Sequence, residues 1–348
     1  MLPAEGSHRL SSNSSGLHVL VTGGAGYVGS VCAEMLVSHG LRVTVLDDFR
    51  EGHRAAVPRE CGVCECDLLD VTGVEDIFKT RRFDAVMHFA AEALVEKSMR
   101  EPSVFYRTNV AGGVILLDAM VRHGISKIVF SSTAAVYGEP QTVPIPEDHP
   151  KNPINPYGQS KWRFETILSE YARFAGIKYV ALRYFNAAGA SRERGEAHRK
   201  ETHLIPKILE AAAGEMPEFQ IRGTDYPTPD GTCVRDYIHV IDIAHAHALA
   251  LKEIDRVSGE AFNVGTSHGY SIREVVDTAR RVTGRAIPAV ECSRRPGDPA
   301  VLVASSTKLQ KTLGWKAAYS SLEQIIESAW LWKHTHPHGY EGSLMNAR

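Results

Sequence analysis

Short apolar runs alternate with stretches of helical periodicity along the first half of the chain. The run at residues 18–22 ends in glycines, residues 27–40 repeat apolar positions at helical spacing, and another apolar run follows at residues 42–48. Three further runs of buried-strand character, each preceded by a helical pattern, lie at residues 84–91, 127–133 and 178–186. This order is typical of βαβ units. It predicts an α/β fold with a doubly wound parallel sheet, the Rossmann fold, and a smaller α/β domain beside it.

The second half of the chain is looser and predicts a return to the first domain. Segments rich in proline and glycine, at 222–232 and 293–300, lie on either side of a strong helix pattern at residues 236–254. We expect the chain to leave the first domain, to return for a strand and a helix, and to leave again. The predicted organisation is a disordered leader at 1–16, a dinucleotide-binding domain at 17–186 with 232–264 returning to it, a substrate-binding domain at 187–231 and 265–340, and a tail at 341–348.

Composition excludes several classes of partner. The 348 residues are 43% hydrophobic and 23% charged, with a formal net charge of −2, so no basic excess indicates nucleic acid. No apolar run approaches the ~20 residues of a membrane span, and the leader lacks the apolar stretch of a signal peptide. The six cysteines form no disulfide-like framework, which is typical of a reducing compartment. These features predict a cytoplasmic protein.

Two groups of potential metal ligands occur in the sequence. Cys61, Cys64 and Cys66 lie close together but lack a fourth ligand, so a buried strand that uses cysteine as a small hydrophobic residue is favoured. The histidines at residues 334–338 are interrupted by Pro337. We predict no metal site.

A glycine motif indicates dinucleotide binding. Gly23, Gly26 and Gly29 lie between the first strand and the first helix, where glycines permit a tight turn and a close approach to a pyrophosphate. Asp47 ends the second strand about 20 residues further on, where an acid accepts hydrogen bonds from the adenosine ribose. Asp47 and Asp48 together would repel a 2′-phosphate, although Arg50 could counter them, so the motif favours NAD over NADP.

A tyrosine and a lysine lie on one face of a predicted helix. Asn155 and Pro156 are suited to begin that helix, and Tyr157 and Lys161 are four residues apart. A phenol with a pKa of about 10 is a weak base, but a positive charge about 5 Å away stabilises the phenolate by about 3 kcal/mol. Lys161 would therefore bring the pKa of Tyr157 closer to neutrality.

These features, together with Thr133 just after a strand, resemble the extended short-chain dehydrogenase/reductase family. The phrases VTGGAGYVGS, HFAA, FSSTAAVYG, NPYGQSK and RYFNAAGA carry the resemblance from about Leu17 to the end of the chain. The phrases GTDYPTPDGTCVRDYIHV and RRPGDPAVLVA resemble the family's UDP-sugar 4-epimerase branch more closely. The resemblance implies a homodimer in which helices around residues 103–123 and 156–176 pair with their symmetry mates as a four-helix bundle.

The resemblance also implies the binding residues. Cofactor contacts are expected from Gly23, Gly26, Tyr27, Val28, Gly29, Asp47, Asp48, Asp67, Leu68, Phe89, Ala90, Ala91, Asn109, Ser131, Tyr157, Lys161 and Tyr184. Substrate contacts are expected from Thr133, Tyr157, Asn186, His203, Leu204, Gln220, Arg222, Arg235, Arg295, Asp298 and Leu302. Of these, Asn186, His203, Leu204, Arg235, Arg295 and Asp298 would hold the nucleotide diphosphate, and paired arginines suit a pyrophosphate.

The implied reaction uses Tyr157, Lys161 and Thr133 as the catalytic residues. Tyr157 would take the proton of the sugar 4-hydroxyl while hydride leaves carbon 4 for NAD, Thr133 would orient that hydroxyl, and Lys161 would hold the nicotinamide ribose. Related dehydratases and decarboxylases carry acids directly after this threonine, whereas this chain has Ala134 and Ala135. The keto sugar would then turn over and take the hydride back, which interconverts UDP-glucose and UDP-galactose. The alternatives are another UDP-sugar (an N-acetylhexosamine, a pentose or a uronate) or a non-catalytic dinucleotide sensor.

Three residues depart from the family's pattern. Arg222 replaces an aromatic residue that often stacks on uracil, although a guanidinium plane can also stack. Ala93 replaces a lysine found near the cofactor in part of the family. Leu302 replaces a tyrosine that lines the sugar pocket in some members, which leaves room for a substituent at carbon 2.

Overall fold

A seven-stranded parallel sheet forms the centre of the computed structural model, which describes residues 16–294 and 298–341. Its strand order is β3-β2-β1-β4-β5-β6-β11. The strands of the described residues are β1 His18–Thr22, β2 Arg42–Asp47, β3 Gly62–Glu65, β4 Ala85–His88, β5 Lys127–Thr133, β6 Lys178–Tyr184, β7 Asn186–Ala188, β8 Phe219–Arg222, β9 Val234–Arg235, β10 Tyr237–His239, β11 Glu260–Val264, β12 Tyr270–Ser271, β13 Ala289–Cys292 and β14 Val301–Leu302.

Helices cover both faces of this sheet. Those of the described residues are α1 Tyr27–Ser38, α2 Val71–Thr80, α3 Val95–Arg100, α4 Pro102–Phe105, α5 Gly112–Arg122, α6 Pro156–Ala175, α7 Leu204–Ala212, α8 Val240–Lys252, α9 Ile254–Val257, α10 Ile272–Thr283, α11 Thr307–Leu313 and α12 Leu322–Thr335. One hydrophobic core joins α1, α8 and α9 to the sheet, and a second joins α2, α5 and α6 to its other face. Because both faces are covered, Val19, Leu20 and Val21 of β1 are all buried. The predicted doubly wound sheet is confirmed.

The sheet reverses its winding direction between β1 and β4. Strands β2 and β3 lie on one side of β1, whereas β4, β5, β6 and β11 lie on the other. Loops that leave the carboxyl ends of β1 and β4 therefore diverge and open a crevice, which is where doubly wound sheets bind ligands.

A smaller α/β region lies beside the sheet and has its own core. Helices α7, α10 and α12 pack there around the parallel pair β8 and β13. Strand β11, which completes the large sheet, comes from the segment 232–264 that we predicted to return to the first domain. The domain boundaries stay a prediction, and the leader and tail lie outside the described residues except for Gly16 and Glu341.

The segment predicted as one helix at 236–254 begins instead with a strand. Tyr237–His239 pairs with β7, and the helix starts at Val240 because the side chain of His239 accepts a hydrogen bond from the backbone N–H of Ile241. Periodicity alone did not separate the two elements, because a three-residue strand is defined by its partner.

The helical stretch Pro102–Arg122 contains a π-helical segment, Tyr106–Ala111, between α4 and α5. Of the helices among the described residues, this stretch alone is long and apolar enough to cross a membrane, and 44% of its apolar 18-residue part is buried inside the protein. Leu116, Leu117 and Met120 are fully buried against the sheet, so its apolar character is that of a core helix.

The cysteine-rich segment forms β3, at one edge of the sheet. Cys64 is buried, whereas Cys61 and Cys66 are half-buried, so the predicted strand is present but only one of these cysteines is fully buried. Burial raises the pKa of Cys61 and of Cys66 to about 11, which keeps both thiols protonated at neutral pH.

Candidate active site

A cleft of about 920 Å³ opens at the carboxyl ends of the parallel strands. One wall comes from the turn after β1 and from the ends of β2, β4, β5 and β6. The opposite wall comes from the smaller region, where the start of α7 and strands β8, β9 and β14 contribute side chains. The cleft therefore lies between the predicted cofactor end and the predicted substrate end.

The glycine turn permits very close backbone packing. Gly23 has a φ of +69°, and a Cβ atom there would lie 2.4 Å from the backbone nitrogen of Ala90. A Cβ atom at Gly29 would lie 2.2 Å from the carbonyl oxygen of Gly23. Both contacts leave no space for a side chain, and the turn brings the N-terminus of α1 to the cleft wall. This cradle fits the pyrophosphate of a dinucleotide.

Asp47 both lines the cleft and shapes the glycine turn. Its carboxylate accepts hydrogen bonds from the backbone N–H groups of Ala25, at 3.0 Å, and of Phe49, at 2.9 Å. Burial raises its pKa, while these two hydrogen bonds oppose the shift. Each oxygen keeps a second lone pair for a ribose hydroxyl.

Arg50 partly neutralises the second acid. Its Nη2 atom lies 2.6 Å from Asp48 Oδ2 and 3.6 Å from Asp67 Oδ2. The repulsion of a 2′-phosphate therefore depends mainly on Asp47, which has no such cationic partner within 4.0 Å among the described residues.

The catalytic candidates meet between the two ends of the cleft. The side chain of Asn155 accepts a hydrogen bond from the backbone N–H of Gly158 at 2.8 Å and begins α6, as predicted. Tyr157 and Lys161 of α6 and Thr133, at the end of β5, all line the cleft. A Cβ atom at Gly158 would lie 2.5 Å from the carbonyl oxygen of Ala135, so α6 packs directly against the turn that follows Thr133.

Burial dominates the protonation of Tyr157 and Lys161. It raises the pKa of the Tyr157 phenol, although a hydrogen bond with Thr133 opposes this. It also lowers the pKa of Lys161 to about 7, against the effect of the Glu165 carboxylate. The prediction that Lys161 brings the pKa of the phenol closer to neutrality is therefore wrong for the protein alone, because desolvation of the buried phenol raises that pKa.

A buried ion pair lies next to these residues, on the side away from the cleft, and it was not predicted from the sequence. Glu165, one turn after Lys161 on α6, lies 2.5 Å from Arg183 of β6 and also accepts a hydrogen bond from the Ser132 hydroxyl. The ammonium of Lys161 donates to the carbonyl oxygen of Ser131 at 3.0 Å. These bonds fix α6 against β5 and β6. The i, i+4 spacing of Lys161 and Glu165 was the available signal.

At the substrate end, β9 and β14 place a cation beside an apolar side chain. Arg235 lies opposite Leu302 in the parallel register, and both line the cleft. The guanidinium of Arg235 lies 3.9 Å from Asp298. On β8, Arg222 donates to the side-chain oxygen of Gln220 at 2.9 Å.

Comparisons with known proteins agree with this geometry. Residues 19–265 match the NAD dependent epimerase/dehydratase family. The chain belongs to that family. It is 48% identical to the UDP-glucose 4-epimerase of Lacticaseibacillus casei over 325 residues, which cover 92% of this chain and 98% of the relative.

Solved structures of epimerases have the same fold. The UDP-glucose 4-epimerase of Brucella ovis in complex with NAD is 45% identical with a TM-score of 0.87, and the match covers 90% of this chain and 97% of that one. The UDP-Glc/GlcNAc 4-epimerase of Campylobacter jejuni is 38% identical with a TM-score of 0.81, and the match covers 92% and 99%.

Most of the predicted contacts of this NAD dependent epimerase/dehydratase family member line the cleft. Those of the cofactor end are Gly23, Gly26, Tyr27, Val28, Gly29, Asp47, Asp48, Asp67, Leu68, Phe89, Ala90, Ala91, Ser131, Tyr157, Lys161 and Tyr184. Those of the substrate end are Thr133, Tyr157, Asn186, His203, Leu204, Gln220, Arg222, Arg235, Asp298 and Leu302. Arg295 lies outside the described residues. Which of these residues contact a ligand stays a prediction.

Asn109 lies behind the wall of the cleft rather than in its lining. Its side-chain amide accepts from the backbone N–H of Glu92 at 2.8 Å and donates to the Glu92 carbonyl and to the Ser160 hydroxyl. These bonds occupy the amide and hold the segment after β4 against α6. Asn109 lies in the π-helical segment, a distortion that often occurs at functional sites and that the sequence pattern did not indicate.

The loop before α7 contributes cleft residues that the sequence analysis missed. Glu196, His198 and Glu201 line the cleft beside His203. Glu196 contacts His198, and Glu201 lies 2.8 Å from His203. The carboxylates raise the pKa of His198 to about 9 against the effect of burial, and they raise the pKa of His203 as well. The motif GEAHRKETH was the available signal.

Proposed function

We propose that this chain interconverts UDP-glucose and UDP-galactose at carbon 4 with bound NAD. The observation that carries the proposal is that Tyr157, Lys161 and Thr133 line one cleft between the glycine turn and the arginines of β8 and β9. The curated relative from Lacticaseibacillus casei, which bears this activity in its name, supports the same function.

Each residue of the cleft has a separate role in the proposed reaction. When bound along the glycine turn and Asp47, NAD would supply reversible hydride transfer at carbon 4 of the sugar. Tyr157 accepts the proton of the 4-hydroxyl and gives it back when the hydride returns. Thr133, whose hydroxyl already hydrogen-bonds the phenol, orients the reacting hydroxyl. Lys161 holds the nicotinamide ribose, and protonation of its amine near neutral pH favours the phenolate.

The turn after Thr133 supports epimerisation over other reactions of a keto sugar. Ala134 and Ala135 follow the threonine and both line the cleft. Methyl groups move no protons, so elimination at carbon 5 or decarboxylation has no acid or base at these positions. The remaining course for the keto sugar is to turn over and accept the hydride on its other face.

The test is turnover of UDP-galactose by the purified protein without added NAD. We expect UDP-glucose to form without net NADH, because each cycle returns the hydride, and we expect NAD to copurify. Steady accumulation of NADH would indicate a dehydrogenase. Bound NAD without turnover of any UDP-sugar would indicate the dinucleotide sensor.

A second candidate is 4-epimerisation of another UDP-sugar. Leu302 at the cleft favours acceptance of an N-acetyl group at carbon 2, because it is smaller than the tyrosine of some relatives. The relative from Campylobacter jejuni, named for both glucose and N-acetylglucosamine nucleotides, supports this second candidate. A panel of UDP-hexoses, UDP-N-acetylhexosamines, UDP-pentoses and UDP-uronates ranked by kcat/KM separates the candidates.

We also infer a homodimer built from helices around residues 103–123 and 156–176. Tyr106 and Val121 of the first helical stretch are each 40% exposed, and Phe174 of α6 is 77% exposed, which supports an apolar contact there. Light scattering at micromolar concentration is expected to give twice the monomer mass, and a monomer would contradict the inference.

We propose that the protein acts in the cytoplasm, which would supply its UDP-sugar substrate and keep its thiols reduced. None of the cysteines of the described residues forms a disulfide, which fits a reducing compartment. Cell fractionation with a tagged full-length chain tests this location.

A further inference from the structure

Four side chains at the wall of the cleft bring together the donor atoms of a metal site. Glu196, His198, Glu201 and His203 each offer one ligand atom, and these atoms all lie within 4.8 Å of one another. The rings of His198 and His203 are 4.9 Å apart. Within residues 16–294 and 298–341, no other group of three or more His, Cys, Asp or Glu side chains is arranged in this way.

The two carboxylates are mostly withdrawn from solvent and already held in place. The side chains of Glu196 and Glu201 are 11% and 10% exposed. Glu201 accepts hydrogen bonds from the backbone N–H groups of Thr202 and His203, each at 2.6 Å. These bonds use one oxygen of Glu201, so its carboxylate is oriented before any ligand binds.

The loop that carries the first two donors is anchored to the cofactor end of the cleft and to Tyr340 near the end of the chain. The ring of His53 hydrogen-bonds the carbonyl oxygen of Ala197 at 2.6 Å, between Glu196 and His198. Arg199 donates to the carbonyl oxygen of Arg50 at 3.0 Å, and the backbone N–H of Gly195 donates to the hydroxyl of Tyr340 at 3.1 Å. Bonds on both sides of the donors reduce the entropy lost when they close around an ion.

We propose that Glu196, His198, Glu201 and His203 bind one divalent transition-metal ion of the Zn²⁺ type. Two imidazole nitrogens, which release any bound proton when the ion binds, and two carboxylate oxygens suit Zn²⁺ or Co²⁺, whereas Mg²⁺ and Ca²⁺ prefer oxygen alone. Ligand atoms about 2.0–2.2 Å from one tetrahedral ion lie closer together than 4.8 Å, so small side-chain rotations complete the site. The two carboxylates balance the charge of the ion.

An occupied site would join two parts of the cleft wall. Glu196 and His198 come from the anchored loop, whereas His203 directly precedes α7. The ion would also place a fixed positive charge beside His203, where the nucleotide diphosphate is predicted to bind. This role does not depend on which sugar the protein accepts.

The alternative is that the four side chains are satisfied by their own ion pairs and bind no metal. To distinguish the two, the full-length protein with its NAD is treated with a chelator, dialysed and titrated with ZnCl₂ by calorimetry. We expect one equivalent to bind, and we expect His198→Gln and Glu196→Gln each to weaken the affinity by about 10- to 100-fold or more. Circular dichroism melting verifies that each variant is folded.

His123→Gln is the matched control. His123 also contacts a glutamate, with its Nε2 atom 2.8 Å from Glu75 Oε1, but that glutamate pairs in addition with Arg122, whose guanidinium does not bind a metal ion. We expect its loss to leave Zn²⁺ affinity unchanged. Titration with CoCl₂ adds a spectroscopic readout, because the imidazole–carboxylate set gives visible bands without the intense near-ultraviolet band of thiolate ligands.

Three results would overturn the proposal. The first is wild-type Zn²⁺ binding no tighter than that of the His198→Gln variant. The second is Zn²⁺ binding that is unchanged in both His198→Gln and Glu196→Gln. The third is a thiolate absorption band with Co²⁺ that disappears in Cys66→Ser. The last two would place the bound ion elsewhere on the protein.

Discussion

The two ends of the cleft are built in different ways. At the cofactor end, backbone atoms pack directly against backbone atoms, as Gly23 does against Ala90 and Gly29 against Gly23. The strand that leads into this turn has fully buried side chains. At the substrate end, side chains on short strands form the wall, as in the Arg235–Asp298 and Arg222–Gln220 contacts. A substitution that disturbs packed backbone shifts several residues together, whereas a substitution of an exposed side chain in the cleft changes only that side chain's contacts. Substitutions at the cofactor end should therefore impair every substrate, and those at the substrate end should change selectivity.

The largest expected effect lies where the two ends meet. Tyr157→Phe removes the proposed proton acceptor without touching the glycine turn, so we expect kcat to fall by about 10²- to 10⁴-fold with NAD still bound. Thr133→Ala should lose less, because it removes only an orienting hydrogen bond. Tyr171→Phe, on the same helix and hydrogen-bonded to Asp118, is the matched control and should stay close to wild type. Near-normal turnover of Tyr157→Phe would remove this tyrosine from the mechanism.

The next effect tests the backbone contacts of the cofactor end. Gly29→Ala places a methyl group 2.2 Å from a carbonyl oxygen, so we expect the free energy of unfolding to fall by about 3 kcal/mol and NAD to be lost during purification. At Gly26 the nearest atom to an added Cβ lies 3.4 Å away, so Gly26→Ala should keep its stability whatever it does to NAD binding. Thermal melts and the NAD content of both variants decide this, and equal stability of the two would contradict the packing argument.

Much of the fold was predictable from the sequence, because parallel strands that are covered on both faces consist of consecutive apolar residues. Strands β1, β2, β4, β5 and β6 all lie where such runs occur, and the glycine motif extends from the end of β1 into the first turn of α1. The two-residue strands β9, β12 and β14 were not predicted. They exist only through pairing with distant segments, as Arg235 does with both Tyr270 and Leu302.

The residues that line the cleft could be predicted from the sequence more fully than their protonation states and hydrogen-bond partners. The side chains of Tyr157, Lys161 and Thr133 were identified from spacing and resemblance, but their burial was not, and burial sets the direction of both pKa shifts. The partners of Asn109 depend on a π-helical segment without a sequence signature. Tertiary contacts, rather than local pattern, decide these properties.

A pH-dependent effect concerns the buried amine of Lys161. Its pKa in the folded protein is about 7, below its ordinary value of 10.5, so the unfolded chain binds more protons between these pH values. The contribution of Lys161 to stability should therefore rise with pH from about 7 to 10, by at most about 1.4 kcal/mol per pH unit. Below pH 7 both states are protonated, and the contribution should be constant.

The measurement compares the free energy of unfolding of wild type and Lys161→Met across this range at matched NAD content. The difference between the two proteins should change with pH above 7 and stay flat below it. Lys79→Met, which removes a lysine whose side chain is 58% exposed, should show no such pH dependence. Parallel curves for wild type and Lys161→Met would mean that the amine stays charged inside the folded protein.

The smallest expected effect tests single-residue selectivity at the substrate end. Leu302 lines the cleft on β14 and packs near Ala134, the residue directly after Thr133, so it lies close to the predicted position of the sugar. A tyrosine there would fill the space that a carbon 2 substituent needs, and a packed wall cannot simply yield to it. In Leu302→Tyr we expect kcat/KM for UDP-N-acetylgalactosamine to fall by about tenfold, with little change for UDP-galactose. Turnover of both sugars by wild type is the precondition, and an equal loss for both would mean that Leu302 supports the cleft without selecting the sugar.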